Sequence, residues 1–198
     1  MGFPLPLWPT VFVFPLAICF YYFLLAGGRT FQFDEGDEGS AALAQVSFAG
    51  TGMGGTLVLG LWGGSVPVWN AVAGGVLMAG AIALYEWARR TIWKRGFHIA
   101  WTGEVPGELC EDGPYRFIRH PLYTSYIVAF AAQLAALPSL WTVAIFLLNA
   151  GLYVHAAFDD ERSLAKSALA PAYAEYKRRT GMFLLRRSQQ RRGSPQED

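Results

Sequence analysis

The sequence predicts an all-α integral membrane protein of about five transmembrane helices, the last two forming a helical hairpin that follows a basic cytoplasmic segment. Two observations carry that prediction. Of the 198 residues, 53% are hydrophobic and 16% are charged, a balance that points away from ordinary soluble domains. The charges are also segregated, with no Asp, Glu, Lys or Arg in 1–28, 39–85 or 121–158. A spanning helix takes about 20 mostly apolar residues, so the first run holds one span and the other two hold two each.

The breaks inside the longer runs are local turn signals, Gly63-Gly64-Ser65-Val66-Pro67 and Leu137-Pro138-Ser139. The expected spans are therefore roughly 8–27, 42–62, 67–88, 121–137 and 140–157. No basic residue precedes Arg29, so the first run is expected to remain a span rather than to be a cleaved signal. Pro6 stands where a myristoylation signal takes Ser or Thr, and no lipid is expected there. The second span carries Gly50, Gly52, Gly54, Gly55 and Gly60, and the third carries Ala71-xxx-Gly75 and Gly80. Small residues at that spacing let helix backbones approach closely in lipid. A phosphate-binding glycine loop needs a preceding strand, and none is predicted, so these glycines read as packing positions. Asn70, Gln133 and Asn149 read as interhelical hydrogen-bonding residues. His155, near the inner end of the fifth span, either lines a pocket or reaches the headgroups.

Of sixteen Lys and Arg residues, all but Arg29 lie at or after Arg89. The positive-inside rule then makes 89–120 and the C-terminal part cytoplasmic, with the N-terminus outside and the acidic loop Asp34–Glu38 inside. Trp93, Phe97, His98 and Trp101 among the basic residues suit a stretch lying on the bilayer. No nucleic-acid-binding module is recognisable. Cys19 and Cys110 fall in separate parts of this topology, so no disulfide is expected, and no Cys/His cluster suggests a metal. After the charge-free run come Asp159-Asp160-Glu161-Arg162 and an interrupted amphipathic helix with Pro171 in a first turn. The polar tail 188–198 has no apolar face and is expected to be disordered.

The most distinctive stretch is Gly113-Pro114-Tyr115-Arg116-Phe117-Ile118-Arg119-His120-Pro121-Leu122-Tyr123, immediately before the last hairpin. Arg and Tyr there are compatible with simple headgroup anchoring or with a ligand site on a helix N-terminus. Pro121 suits the first turn, where a missing N–H loses no helical partner. The positive end of that helix beside Arg119 and His120 favours an anionic group.

Taken with the hairpin, the acid pair ending in Glu161 and Tyr173-Ala174-Glu175-Tyr176-Lys177-Arg178-Arg179, this stretch resembles the isoprenylcysteine carboxyl methyltransferase family and the wider group of membrane phospholipid methyltransferases. The resemblance covers roughly 96–187, leaving 1–95 as an N-terminal helical part. It implies an integral membrane enzyme that binds S-adenosylmethionine at the cytoplasmic ends of the last two helices and takes a lipophilic small-molecule or lipidated substrate from the bilayer. Carried over, the cofactor contacts are Leu109, Cys110, Tyr115, His120, Pro121, Leu122, Tyr123 and Glu161, with His120 and Glu161 as the catalytic residues and no metal.

A sulfonium is already an activated methyl donor, so the protein's task is alignment and exclusion of water. A carboxylate acceptor needs no base, whereas an amine needs one, from Glu161, His120 or His155. The eukaryotic prenylcysteine enzymes carry an arginine one turn before the position of Glu161, and this chain has Ala157 there. Alanine cannot clamp a carboxylate. The expectation is a carboxyl O-methyltransferase-like enzyme acting on an isoprenylcysteine-like carboxylate or a related small lipophile, with Ala157 supporting the carboxylate less than methyl transfer itself; phospholipid or amine N-methylation, a nicotinamide-dependent membrane reductase and a non-catalytic scaffold are the alternatives.

Overall fold

The computed structural model describes residues 12–32, 49–62, 67–94, 99–100 and 108–186. The acidic loop at 34–38, the residues Phe97, His98 and Trp101, and the tail 188–198 lie outside the described residues. Six helices follow in order: α1 (Phe14–Thr30), a π-helical turn (Ala49–Gly54) continuing into α2 (Gly55–Trp62), α3 (Val68–Lys94), α4 (Pro121–Ala136), α5 (Leu140–Ala165) and α6 (Ala170–Arg179). A two-residue parallel pairing of Phe31–Gln32 with Ile99–Ala100 is too short to alter the all-helical class.

α4 is the centre of the bundle. Its Leu122, Tyr123, Tyr126, Ala129, Phe130, Ala132, Gln133 and Ala136 are buried, and α3 and α5 pack against it. At 16 residues it is about 24 Å long, shorter than a hydrocarbon layer of about 30 Å. α3 over Val68–Trp93 and α5 over Leu140–Ala165 are each long and apolar enough to cross a bilayer, and Phe14–Ala26 is a shorter apolar helix. Exposed tryptophans mark two levels along α3, Trp69 at one end and Trp87 and Trp93 at the other. Trp69 and Trp93 lie about 36 Å apart along a straight helix, the spacing of two interfacial aromatic belts.

Packing in lipid rests on close backbone approach, and the structure corrects which glycines provide it. A Cβ on Gly74 would lie 2.6 Å from the Ala136 Cβ and 2.8 Å from the Ala132 carbonyl oxygen, whereas Gly75, Gly80 and Gly50 have nothing within 4 Å. Gly52 faces the Phe20 ring and Gly60 faces Val13 in the same intimate way. Close approach is found at Gly52 and Gly60 of the second expected span, but the glycines expected to pack on α3, Gly75 and Gly80, are open, because Gly74 rather than Gly75 points at α4. Gly74→Ala is expected to destabilise by about 1–3 kcal/mol through overpacking, while Gly75→Ala, on open helix surface, raises stability by a few tenths to about 1 kcal/mol through helix propensity. Thermal unfolding of the two variants in detergent checks this; equal midpoints would refute the assignment.

The three amides bond between helices, as expected. Asn70 Nδ2 donates to the Ala135 carbonyl at the end of α4 (2.9 Å). Gln133 Nε2 donates to the Thr51 and Gly52 carbonyls (3.0 and 3.1 Å) and shares a third contact with Thr56 Oγ1 (3.0 Å), which ties the π-helical turn to α4. Asn149 Nδ2 reaches Thr51 Oγ1 (3.2 Å) from α5.

Two boundaries differ from expectation. α3 runs to Lys94 and α5 to Ala165, each beyond its apolar stretch. On α5 the extension is supported by Asp159 pairing with Arg162 (2.8 Å) and with His155 (2.9 Å) at helical spacing. Ser139 starts α5 with a reciprocal capping box to Thr142, which explains the sharp turn after Leu137.

Candidate functional site

The site is built where the Gly113–Tyr123 stretch is clasped from two sides. Gly113 opens a 3-10 turn, Gly113–Arg116, with φ +53°, and a Cβ there would lie 2.3 Å from Thr91 Oγ1 and 3.1 Å from Trp87 Nε1. Glycine is thus required both by the left-handed backbone and by the approach to α3. On the other side, the chain after α6 runs parallel to 117–120. The Arg119 N–H donates to the Gly181 carbonyl (2.8 Å), the His120 N–H to the Met182 carbonyl (3.2 Å), and the Gly181 N–H to the Phe117 carbonyl (3.3 Å). Tyr176 Oη donates to the Tyr115 carbonyl (2.6 Å), and Arg179 pairs with Glu111. The stretch is therefore an embedded element of the structure, which argues against a simple headgroup anchor.

Within the clasp lies a buried charge cluster. Glu161 and Arg119 side chains are 5% and 8% exposed, with Arg119 Nε donating to Glu161 Oε1 (2.8 Å). Lys177 Nζ meets the other carboxylate oxygen at 2.5 Å, and Arg119 Nη1 donates to the Thr180 carbonyl (2.6 Å). His120 Nε2 stands 3.6 Å from Glu161 Oε1, too far for a good hydrogen bond. Burial by itself raises the affinity of Glu161 for a proton. The His120 ring and the donors from Lys177 and Arg119 outweigh it and hold the carboxyl well below the usual carboxylate range.

A second layer is aromatic. The His120 and Tyr123 rings stack at 5.6 Å and 10°, Tyr123 lies 6.0 Å from Tyr153, and Tyr153 lies 5.1 Å from Tyr126. Phe183 packs on the His120 ring at 6.0 Å. Tyr123 Oη donates to Asp160 Oδ2 (3.0 Å), and His120 Nδ1 is 4.0 Å from the same oxygen. The Asp160 side chain is 45% exposed, so it forms the open edge of an otherwise buried group. Among the described residues, His120 Nε2 and Tyr173 Oη are buried without a hydrogen-bond partner, a costly state for a polar atom.

The structure thus brings His120, Pro121, Leu122, Tyr123 and Glu161 together at the start of α4 and the end of α5. Tyr115 joins through its backbone carbonyl, and Cys110 packs partly buried near Tyr115 and Tyr176. Leu109 is half-buried and takes no part in the cluster's hydrogen bonds among the described residues. His155 is 75% exposed and paired with Asp159, outside the cluster.

Sequence reasoning passed over Tyr153, Lys177, Thr180 and Phe183. Tyr153 was within reach, since Tyr153, Ala157, Asp160 and Glu161 share one helix face by spacing. The others arrive by long-range folding of the C-terminal segment, for which the sequence carries no local signal. Among the described residues no group of three or more His, Cys, Asp or Glu side chains could hold a metal.

Among the described residues, the helices form a bundle with two members long and apolar enough to cross a membrane and an aromatic-walled, charged cluster at one end of them. The family profile described as phospholipid methyltransferase matches residues 69–167, half of the 198-residue chain. The chain belongs to that family, and its class is that of the membrane methyltransferases. The matched region takes in α3, the clasped stretch, α4 and α5 and stops before α6. No match is found among curated proteins or among solved structures.

Proposed function

We propose that the protein is an S-adenosylmethionine-dependent methyltransferase that modifies a lipophilic acceptor supplied by the bilayer, with the N-terminus outside, five membrane-crossing segments, and the site on the cytoplasmic side. The observation that carries the site assignment is His120, whose Nε2 is buried without a hydrogen-bond partner, 3.6 Å from Glu161 Oε1, beneath the stacked Tyr123 and beside the open Asp160 carboxylate. That set fits a ligand that is part aromatic, part polar and cationic: ring faces for stacking and for a positive centre, a polar ring nitrogen in His120, and carboxylates nearby. His120, Tyr123 and Asp160 would hold the cofactor, which supplies an activated methyl group when bound. Leu122 and the walls of Tyr126 and Tyr153 exclude water.

Glu161 acts in this reading as the anchor of Arg119 and Lys177. With both oxygens engaged and a depressed proton affinity, it is poorly suited to act as a base.

One observation favours an amine acceptor over a carboxylate. Ala157 is fully buried in the core, so the position one turn before Glu161 supplies no cation to hold a carboxylate. Asp160, by contrast, offers an exposed carboxylate that attracts an ammonium headgroup and takes the proton an amine must lose.

Calorimetric titration of detergent-purified protein with S-adenosylmethionine and its demethylated product tests the cofactor assignment. His120→Ala is expected to weaken binding by about 10–100-fold, and Tyr123→Phe, which removes only the hydroxyl that bonds Asp160, by about 5–10-fold, in line with one or two lost polar contacts. Parent-like binding by both variants, with folded protein, would move the cofactor site elsewhere.

A further inference from the structure

The segment that covers His120 carries an unexplained apolar tip. After Gly181 the chain bends, bringing the Leu184 carbonyl oxygen back so close to Gly181 that a Cβ there would lie 1.7 Å from it. Phe183 faces the His120 ring, while Leu184 and Leu185, next to one another, are 80% and 72% exposed among the described residues. Their depth is fixed by the backbone. Gly181 and Met182 are hydrogen-bonded to Arg119 and His120, the two residues that lead into the apolar α4. Phe117, on the same strip, lies 6.3 Å from Trp87, part of the aromatic level at that end of α3. The leucine pair therefore leaves the protein at the height of a membrane interface.

The flanks are basic: Lys177, Arg178 and Arg179 close α6, Arg186 follows the leucines and donates only to the Lys177 carbonyl among the described hydrogen bonds, and the sequence continues with Arg187, Arg191 and Arg192. Glu161, Glu175 and Glu111 pair with the first three. From Leu184 to Asp198 the sequence carries four arginines against Glu197 and Asp198, a net positive flank that matches an anionic headgroup layer.

We propose that Leu184 and Leu185 form an interfacial anchor that inserts into an anionic lipid surface and thereby holds Met182–Phe183 over His120. The inference rests on the membrane placement and on His120 belonging to the ligand site. Its consequence is that closure of the site depends on the bilayer: in detergent or neutral lipid the cover is loose, and on an anionic membrane it is seated.

The test uses full-length protein with Cys19→Ser and Cys110→Ser and one new cysteine, Leu184→Cys or, as an exposed control on α5, Arg162→Cys, labelled with a polarity-sensitive fluorophore. In nanodiscs of phosphatidylcholine with phosphatidylglycerol, quenching by lipids spin-labelled near the headgroup is expected to be several-fold stronger at 184 than at 162. It is expected to fall when phosphatidylglycerol is omitted or Arg186→Gln is added. Equal quenching at 184 and 162, or a label shielded from both lipid and water by a second copy of the chain, overturns the anchor. In a cysteine-intact background, Leu184→Asp with Leu185→Asp is expected to weaken S-adenosylmethionine binding about tenfold in those nanodiscs and to leave it unchanged in detergent; an equal effect in both media also overturns it. Failure of the parent to bind the cofactor at all would count against the proposed function, while the depth measurement would still stand.

Discussion

Truncating Glu161 to alanine is expected to cost about 3–5 kcal/mol of stability, because it strands the buried Arg119 guanidinium without its counter-charge. Arg119 is 8% exposed and has Glu161 as its acidic partner, with the Thr180 carbonyl as its other close acceptor. The double variant Arg119→Met with Glu161→Leu removes both charges at once and is expected to recover most of that loss, since a buried pair replaced by apolar groups is often neutral. Unfolding of the parent, the single variant and the double variant in one detergent measures this directly, and a Glu161→Ala protein that melts with the parent sinks the reading. The pH dependence has a definite sign. The folded carboxyl is held below its ordinary value of 4.5, so its contribution is fully present above that value and is lost as the pH falls through the folded one. Glu161→Gln, which does not titrate, is expected to lack this acid-side loss, which sets in as the pH falls below about 4.

Substituting Gly181 has the second large expected effect, and it falls on ligand binding more than on global stability. The added methyl group would meet backbone, the Leu184 carbonyl oxygen at 1.7 Å and its carbon at 2.9 Å. Backbone cannot rotate aside as a side chain can, so the bend over Met182–Leu184 must open. That separates Met182 and Phe183 from His120 while leaving α3, α4 and α5 packed. In nanodiscs containing phosphatidylglycerol, Gly181→Ala is therefore expected to weaken cofactor binding by about tenfold or more, with a loss of stability of about 1–3 kcal/mol. Calorimetry beside thermal unfolding separates the two quantities; a variant that loses both in proportion would make the segment a general structural strut and not a cover.

Much of this was legible in the chain itself because membranes leave few options. Charge-free runs, turn signals and the Ser139 break predict α3, α4 and α5, except that α3 continues to Lys94 and α5 to Ala165, on α5 because paired charges at helical spacing keep it wound. The clustering of His120, Tyr123 and Glu161 was legible through the resemblance. The roles within the cluster were not, since they depend on which groups Glu161 finds. Nothing local to Lys177 or Thr180 says that α6 folds back onto Arg119, and nothing local to Gly74 says that it, and not Gly75, meets Ala136. Both are consequences of helix rotation and long-range docking, which periodicity constrains only loosely.

Methyl transfer to a membrane-borne acceptor is read out by incubating the protein, reconstituted in nanodiscs, with methyl-labelled S-adenosylmethionine. One set of discs would contain an aminophospholipid and another a prenylated cysteine carboxylate, and the lipid fraction would then be exposed to mild base. Methyl esters hydrolyse under that treatment and N-methyl groups survive it. The account predicts label in the aminophospholipid that resists base and is abolished by His120→Ala and by Asp160→Asn. Base-labile label in the carboxylate alone would contradict the amine reading, and no lipid-borne label from a protein that binds the cofactor would contradict the account as a whole.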